Sequence, residues 1–192
     1  MIQEYEFAYG KSSLKMQIPE GNVLSVLEME PVEAVRSSKE ILEEALENPL
    51  GAATLQEDIC QKKPKKILIV VSDITRSIPY PEILPLITAQ LEALGYGPKT
   101  ITFLIANGTH RAMTETEIED YYGQETASRY SIFNHDCRNR LISLGKMSTG
   151  NELWVDALVQ EHDYLLLTGA VNTHYFTGFS GGRKSILPGI SG

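Results

Sequence analysis

The sequence predicts an α/β fold, a three-layer sandwich around a mostly parallel sheet with an N-terminal β-rich decoration. Three observations predict it. Lys66-Ile67-Leu68-Ile69-Val70-Val71 is an uninterrupted run rich in β-branched residues, the pattern of a strand buried on both faces. A helical pattern from Tyr80 to Leu94 and a second strand-like run from Thr100 to Ala106 follow it closely. Connections this short imply a right-handed crossover and parallel strands. Ahead of them, residues 2–9 and 14–18 alternate apolar and polar around Gly10-Lys11-Ser12, which reads as a hairpin.

The remaining elements follow in chain order. Asn22 to Met29 reads as a further strand. Pro31 opens a helical pattern through Val32, Val35, Ile41, Leu42 and Leu46, closed by Asn48-Pro49. Leu55 and Ile59 suggest a short second helix ending near the lysines at 62–66. That basic run is a solvated approach to the first buried strand rather than a nucleic-acid patch. In the Tyr80–Leu94 helix, Leu84, Ile87, Leu91 and Leu94 share one side, and Gly95 is the stop. Thr114 with Glu117 has the spacing of a capping box and starts another helix. Tyr130–Asn134, Leu141–Leu144 and Leu153–Leu158 read as shorter strands at an edge or in a flap. Tyr164–Thr168 returns to the central sheet. Gly169 ends that run, Asn172 and Thr173 signal a turn, and Ser180 is placed to cap a short helix opening at Gly181-Gly182.

Composition excludes several functions. Hydrophobic residues make up 42% and charged residues 22% of the 192, an ordinary globular balance with enough apolar material for a sizeable core. The formal charge of -8 argues against a nucleic-acid or anionic-membrane partner, since both need clustered excess cations. No apolar stretch approaches the roughly 18 residues of a membrane span, and Met1 is not followed by a cationic and then apolar leader. Two cysteines, Cys60 and Cys137, are too few and too far apart for a disulfide scaffold or a zinc site. The expected compartment is the cytoplasm.

The chemistry gathers where strands end. In open α/β sheets, ligands bind beyond the carboxyl ends of the parallel strands. Three such ends lead into loaded loops: Ser72-Asp73-Ile74-Thr75-Arg76-Ser77, Asn107-Gly108-Thr109-His110-Arg111, and Asn172-Thr173-His174 running on to Gly181-Gly182-Arg183-Lys184. One edge of the sheet is therefore expected to collect Asp73, Thr75, Arg76, His110, His174 and Lys184. Two histidines facing one substrate can serve as an acid and base pair near neutral pH. Arg76 can clamp a carboxylate with its two-pronged donor set. Asp73 can accept hydrogen bonds or orient a cation. Lys184 can be a charge partner for phosphate or a covalent anchor. His135 and His162 lie outside these loops and read as structural or surface residues. Gly178 to Ser185 approaches the nucleotide phosphate loop, but Arg183 stands where its second glycine is required.

Taken together, Ser72-Asp73-Ile74-Thr75-Arg76, Ala106-Asn107-Gly108-Thr109-His110-Arg111 and the run from His174 to Gly189 resemble the nickel-dependent lactate racemase family. The three motifs stand in that family's order and cover the second half of the chain. The resemblance implies a nickel-pincer nucleotide, a pyridinium-3,5-bisthiocarboxylic acid mononucleotide carrying nickel, tethered through a thioamide to Lys184. It implies His110 and His174 as the catalytic histidines. Asp73, Ile74, Thr75 and Arg76 would hold the cofactor, with Arg76 also on the substrate. The activity implied is racemisation or epimerisation of a small 2-hydroxy acid by reversible hydride transfer. The cofactor is expected only where its biosynthesis proteins are co-expressed.

By the same resemblance, residues 1–192 correspond to the family's N-terminal domain. Residues 1–30 would form the β-rich decoration and 65–192 would carry the cofactor and catalytic loops. A C-terminal domain, with the nickel-ligating histidine, is expected beyond Gly192, so this chain alone is expected to be inactive. Two other readings rest on the residues themselves. One is a non-catalytic phosphate- or nucleotide-binding module built on the Gly181–Lys184 loop. The other is an interaction domain whose polar loops meet a partner subunit.

Overall fold

Alternation over the first residues produces the expected hairpin. In the computed structural model, which describes residues 1–27 and 35–192, β1 (Ile2–Tyr9) pairs antiparallel with β2 (Ser12–Pro19) in continuous register from Ile2 opposite Pro19 to Tyr9 opposite Ser12. Gly10, at φ 59, supplies the left-handed backbone of the turn. The hairpin lies in one compact unit, Met1–Val35; the second unit is Arg36–Gly192.

The strand expected over Asn22–Met29 does not form within the described residues. Glu20–Asn22 is a single 3-10 turn, and residues 23–27 have no regular structure. Among the described residues no strand pairs with them, and β propensity without a pairing neighbour does not make a strand. Glu28 and Met29 lie outside the described residues, as do Pro31 and Val32 of the next expected helix. That helix, α1 (Ser38–Glu47), starts later than expected because Ser37 and Glu40 close a capping box that fixes its first turn. It ends at the expected Asn48. A second box, Thr54 with Glu57, starts α2 (Leu55–Lys62).

The buried run becomes β3 (Ile67–Ser72), followed by α3 (Tyr80–Ala93) and β4 (Ile101–Ala106). The Thr114–Glu117 box starts α4 (Glu115–Tyr122) as its spacing predicts. After Gly123 comes α5 (Gln124–Arg129), then β5 (Ser131–Asn134). An antiparallel pair, β6 (Leu141–Lys146) with β7 (Glu152–Asp156), stands apart from the main sheet. Leu158 belongs to a short helix, α6 (Leu158–Glu161), rather than to β7. β8 (Tyr164–Leu167) then returns to the centre. The four-stranded sheet has the order β5-β4-β3-β8, and every pair in it is parallel.

The period of two along β3 divides the core into two layers. Ile67, Ile69 and Val71 face a cluster holding Ile59 of α2, Leu84, Ile87 and Leu91 of α3, and Tyr122 of α4. Leu68 and Val70 face the opposite way, against Leu104, Leu158 of α6 and Ile190. Each fully buried aliphatic or aromatic side chain here contributes about 1.5–3 kcal/mol of transfer free energy. The three layers are therefore helices, sheet, and a second cover made of α6 and the C-terminal segment. Because β4 and β8 flank β3 on opposite sides, the chain reverses direction across the sheet at β3. A crevice at the carboxyl ends follows from that reversal. Among the described residues no helix is long and apolar enough to cross a membrane.

Candidate functional site

A cleft of about 310 Å³ opens at the carboxyl ends of β3, β4 and β8. It brings together Asp73, Arg76, His110, His174 and Lys184. Ile74 and Thr75 lie beside it rather than in its lining.

The loop after β3 is shaped by three tyrosines. The Ser72 N–H donates to Tyr80 Oη at 2.7 Å, and Tyr122 Oη donates to the Ser72 carbonyl at 2.8 Å. Tyr121 Oη donates to the Arg76 carbonyl. Tyr80 Oη also meets Thr168 Oγ1 at 3.0 Å, joining this loop to the end of β8. Burial above all raises the Tyr121 and Tyr122 pKa values, so both phenols remain donors. Within the loop, the Arg76 N–H closes a turn on the Asp73 carbonyl at 3.1 Å. The Asp73 side chain is 5% exposed and both of its oxygens are engaged. Oδ1 accepts from the Thr75 N–H at 3.2 Å and from Thr75 Oγ1 at 2.6 Å, and Oδ2 meets His110 Nδ1 at 2.5 Å.

The loop after β4 turns on Asn107 and Gly108. The buried Asn107 amide donates to the Arg111 carbonyl at 3.1 Å and accepts the His135 N–H at 3.2 Å. The Gly108 N–H donates to the Gly189 carbonyl at 2.9 Å, tying the His110 loop to the end of the lysine loop. A side chain at Gly189 would drive its Cβ into the Ser185 carbonyl, so this seam needs glycine. Arg111 leaves the cleft: its guanidinium takes the Glu117 carboxylate at 2.8 and 2.5 Å and holds that carboxyl well below the usual range.

The third loop differs from expectation. Thr173 and His174 form β9 (Thr173–His174), which pairs with β10 (Gly178–Phe179), so the turn falls at residues 175–177. Ser180 does not cap the following 3-10 turn, Gly182–Ser185, whose N-cap is Gly181. The small hairpin draws the Ser180 hydroxyl inward instead, where it donates to the Ala170 carbonyl and accepts the Asn172 N–H at 2.8 and 2.9 Å. His174 Nδ1 accepts the Phe176 N–H at 3.3 Å, and its ring stacks on Tyr175.

Lys184 faces Asp73 and Arg76 across the cleft. Burial and then the Arg76 charge pull its pKa below the ordinary lysine value, with Asp73 opposing. A depressed pKa makes the neutral amine, the nucleophilic form, more abundant at any pH below the ordinary value. Trace acetylation with acetic anhydride near pH 8 is therefore expected to label Lys184 faster than exposed Lys11 or Lys146. Peptide mass mapping reads the ratio, and slower labelling of Lys184 contradicts it.

His135 and His162 do not line this cleft. His135 is buried between Asp156 Oδ2 at 2.9 Å and the Ser191 carbonyl at 3.1 Å. His162 sits between the Leu158 carbonyl at 2.7 Å and Thr102 Oγ1 at 3.0 Å. Both are structural, as their positions outside the strand-end loops suggested.

The profile of the lactate racemase N-terminal domain family matches residues 9–192. The chain belongs to this family. It is 35% identical over 190 residues to the lactate racemase of Thermoanaerobacterium thermosaccharolyticum and 30% identical over 190 residues to that of Lactiplantibacillus plantarum. Each match covers 97% of this chain and 44% of the relative, so the chain spans less than half the length of the lactate racemases it matches. Among solved structures it resembles the lactate racemase apoprotein of T. thermosaccharolyticum, with a TM-score of 0.79 over 98% of this chain and 44% of that one at 35% identity. A Thermotoga maritima protein superposes with a TM-score of 0.62 over 84% of this chain and 40% of its own, at 25% identity.

Within this lactate racemase N-terminal domain, the tyrosines behind the 72–76 loop were not foreseeable as site residues. Tyr121 and Tyr122 are neighbours on a short helix, and nothing local signals that their hydroxyls reach back across 45 and 50 residues of chain. Phe176 and Thr177 also line the cleft, at positions inside the motif that carry no assigned role, and so does Ser180, expected only as a helix cap.

Proposed function

We propose that this chain is the cofactor-anchoring, proton-handling half of a racemase or epimerase of small 2-hydroxy acids. The observation that carries this reading is the convergence of His110, His174, Arg76 and Lys184 on one cleft in a member of the lactate racemase N-terminal domain family. In the same reading, residues 65–192 are the functional part and the β-rich start is a decoration.

The residues present fit a nickel-pincer nucleotide by their chemistry. Lys184 combines a depressed pKa with the access a covalent tether requires. Arg76 beside it supplies a fixed positive charge for a phosphate or carboxylate. The cleft, at about 310 Å³, is at the small end of the range for ligand pockets, which suits a site completed by the longer protein. When bound, the cofactor supplies the hydride acceptor, which no side chain here can be. A histidine ligand for its nickel belongs, in this reading, to the part of the relatives that this chain does not match.

The chain's own residues then have separable tasks. Arg76 takes the carboxylate of the hydroxy acid. One histidine accepts the hydroxyl proton of one enantiomer and the other serves its mirror image, which is why two are needed. Lys184 would hold the cofactor. Moving the C2 hydrogen with its electron pair avoids removing a proton from a carbon that no neighbouring group makes acidic enough. The test is a single enantiomer of lactate deuterated at C2, given in ordinary water to the full-length protein with its cofactor loaded. The expected product is the opposite enantiomer with deuterium retained at C2. Washout of the label, or no interconversion across a panel of 2-hydroxy acids, contradicts the reading.

A further inference from the structure

We infer that Asp73 is a positioning residue that locks His110 in its Nδ1–H tautomer and so presents Nε2 as the proton acceptor of the cleft. The functional half of this inference rests on the racemase reading; the lock itself does not. The resemblance assigns Asp73 to the cofactor; in this structure both of its carboxylate oxygens already have partners within the chain. Thr75 occupies Oδ1 with two donors and His110 occupies Oδ2.

A carboxylate only accepts hydrogen bonds, so the proton between Asp73 and His110 sits on the ring nitrogen. A neutral ring carrying Nδ1–H leaves its lone pair on Nε2. The side chain of His110 is 51% exposed, so packing does not fix the ring. Its orientation comes from the 2.5 Å contact to a carboxylate that is itself nearly buried and held by Thr75. The backbone on either side is pinned as well, His110 N–H to the Asn107 carbonyl and Gly108 N–H to the Gly189 carbonyl, each at 2.9 Å.

His174 is held differently. Its Nδ1 accepts the Phe176 N–H, so its neutral ring carries the proton on Nε2. The two histidines therefore rest in opposite tautomers, and His110 is the one whose Nε2 can take a proton without prior rearrangement. In that step the substrate O–H bond breaks as the Nε2–H bond forms, and the oxygen keeps the electron pair. The resulting imidazolium already has its second N–H on Asp73. Such an arrangement fixes both the tautomer and the direction of the acceptor.

The test is a long-range proton–nitrogen correlation spectrum of the chain labelled with 15N-histidine, recorded at alkaline pH. His110 is assigned by the signals lost in His110→Gln. The expected wild-type result is a pyrrole-type Nδ1 and a pyridine-type Nε2 for His110. In Asp73→Ala the two types exchange, because the Nε2–H form prevails for an unheld imidazole. In the full-length loaded enzyme, Asp73→Ala is expected to lower kcat roughly 10²-fold with KM little changed. Should Asp73→Ala fail to fold, the wild-type spectrum decides: an Nε2–H tautomer at His110 overturns the inference. An unchanged tautomer in folded Asp73→Ala also overturns it. If the lock is found but full-length His110→Gln still racemises at the wild-type rate, the acceptor role falls and the racemase reading of His110 falls with it.

Discussion

Lys184→Ala in the full-length, cofactor-supplied protein is expected to bring interconversion of 2-hydroxy acid enantiomers down to the uncatalysed background. The expected loss is about 10⁶-fold or more, the lower end of what enzymes contribute over the uncatalysed reaction. The size follows from the role proposed for the residue. A general acid or base that is removed leaves the rest of the machinery in place, whereas losing the proposed anchor would remove the hydride acceptor itself. Lys184→Arg is not expected to rescue, because a guanidinium keeps the charge but has no neutral amine near physiological pH. If Lys184 were only a phosphate partner, arginine would substitute well and alanine would weaken binding without abolishing turnover. Measuring kcat for both variants at saturating cofactor supply separates these cases.

His110→Gln and His174→Gln carry the next largest effect. Glutamine keeps a polar side chain of similar reach but cannot carry a proton in and out. Each substitution is expected to lower kcat by roughly 10²–10⁴-fold, the usual contribution of a positioned general acid or base. Enantiomers have equal free energy in achiral water, so kcat/KM must fall by the same factor in both directions whichever histidine is changed. An apparent one-way enzyme would mean that the reaction followed is not a racemisation. The two histidines do not start alike, since His110 leans on Asp73 and His174 on the Phe176 N–H. Initial-rate measurements from each pure enantiomer test the prediction, and activity within a few-fold of wild type in either variant contradicts it.

The sheet was legible because its signals are local. Ile67–Ser72 is apolar at every position but the last and can only be a central strand, and short strand–helix–strand connections leave little choice of direction. Once the strands are parallel, their carboxyl ends lie on one edge, and the three polar loops fall together without any side-chain detail. Where the reading failed, the reasons differ from element to element. The Ser37–Glu40 box sets the start of α1, a signal the helical periodicity did not include. Gln124–Arg129 forms a helix with no side-chain cap and little apolar repeat, so neither signal announced it. Ser180 has the look of a cap, but the β9–β10 pairing brings it against Ala170 and Asn172. The tyrosine supports of the 72–76 loop come from packing α3 and α4 against β3, which no spacing in the sequence encodes.

The measurement that bears most directly on the account is the intact mass of the full-length protein, co-expressed with cofactor-making enzymes, as wild type and as Lys184→Ala. A stable increment of cofactor size in the wild type, absent from the variant and mapped to the peptide bearing Lys184, is the predicted result. No increment despite verified cofactor supply, or an increment that survives Lys184→Ala, would contradict a covalent anchor in this cleft.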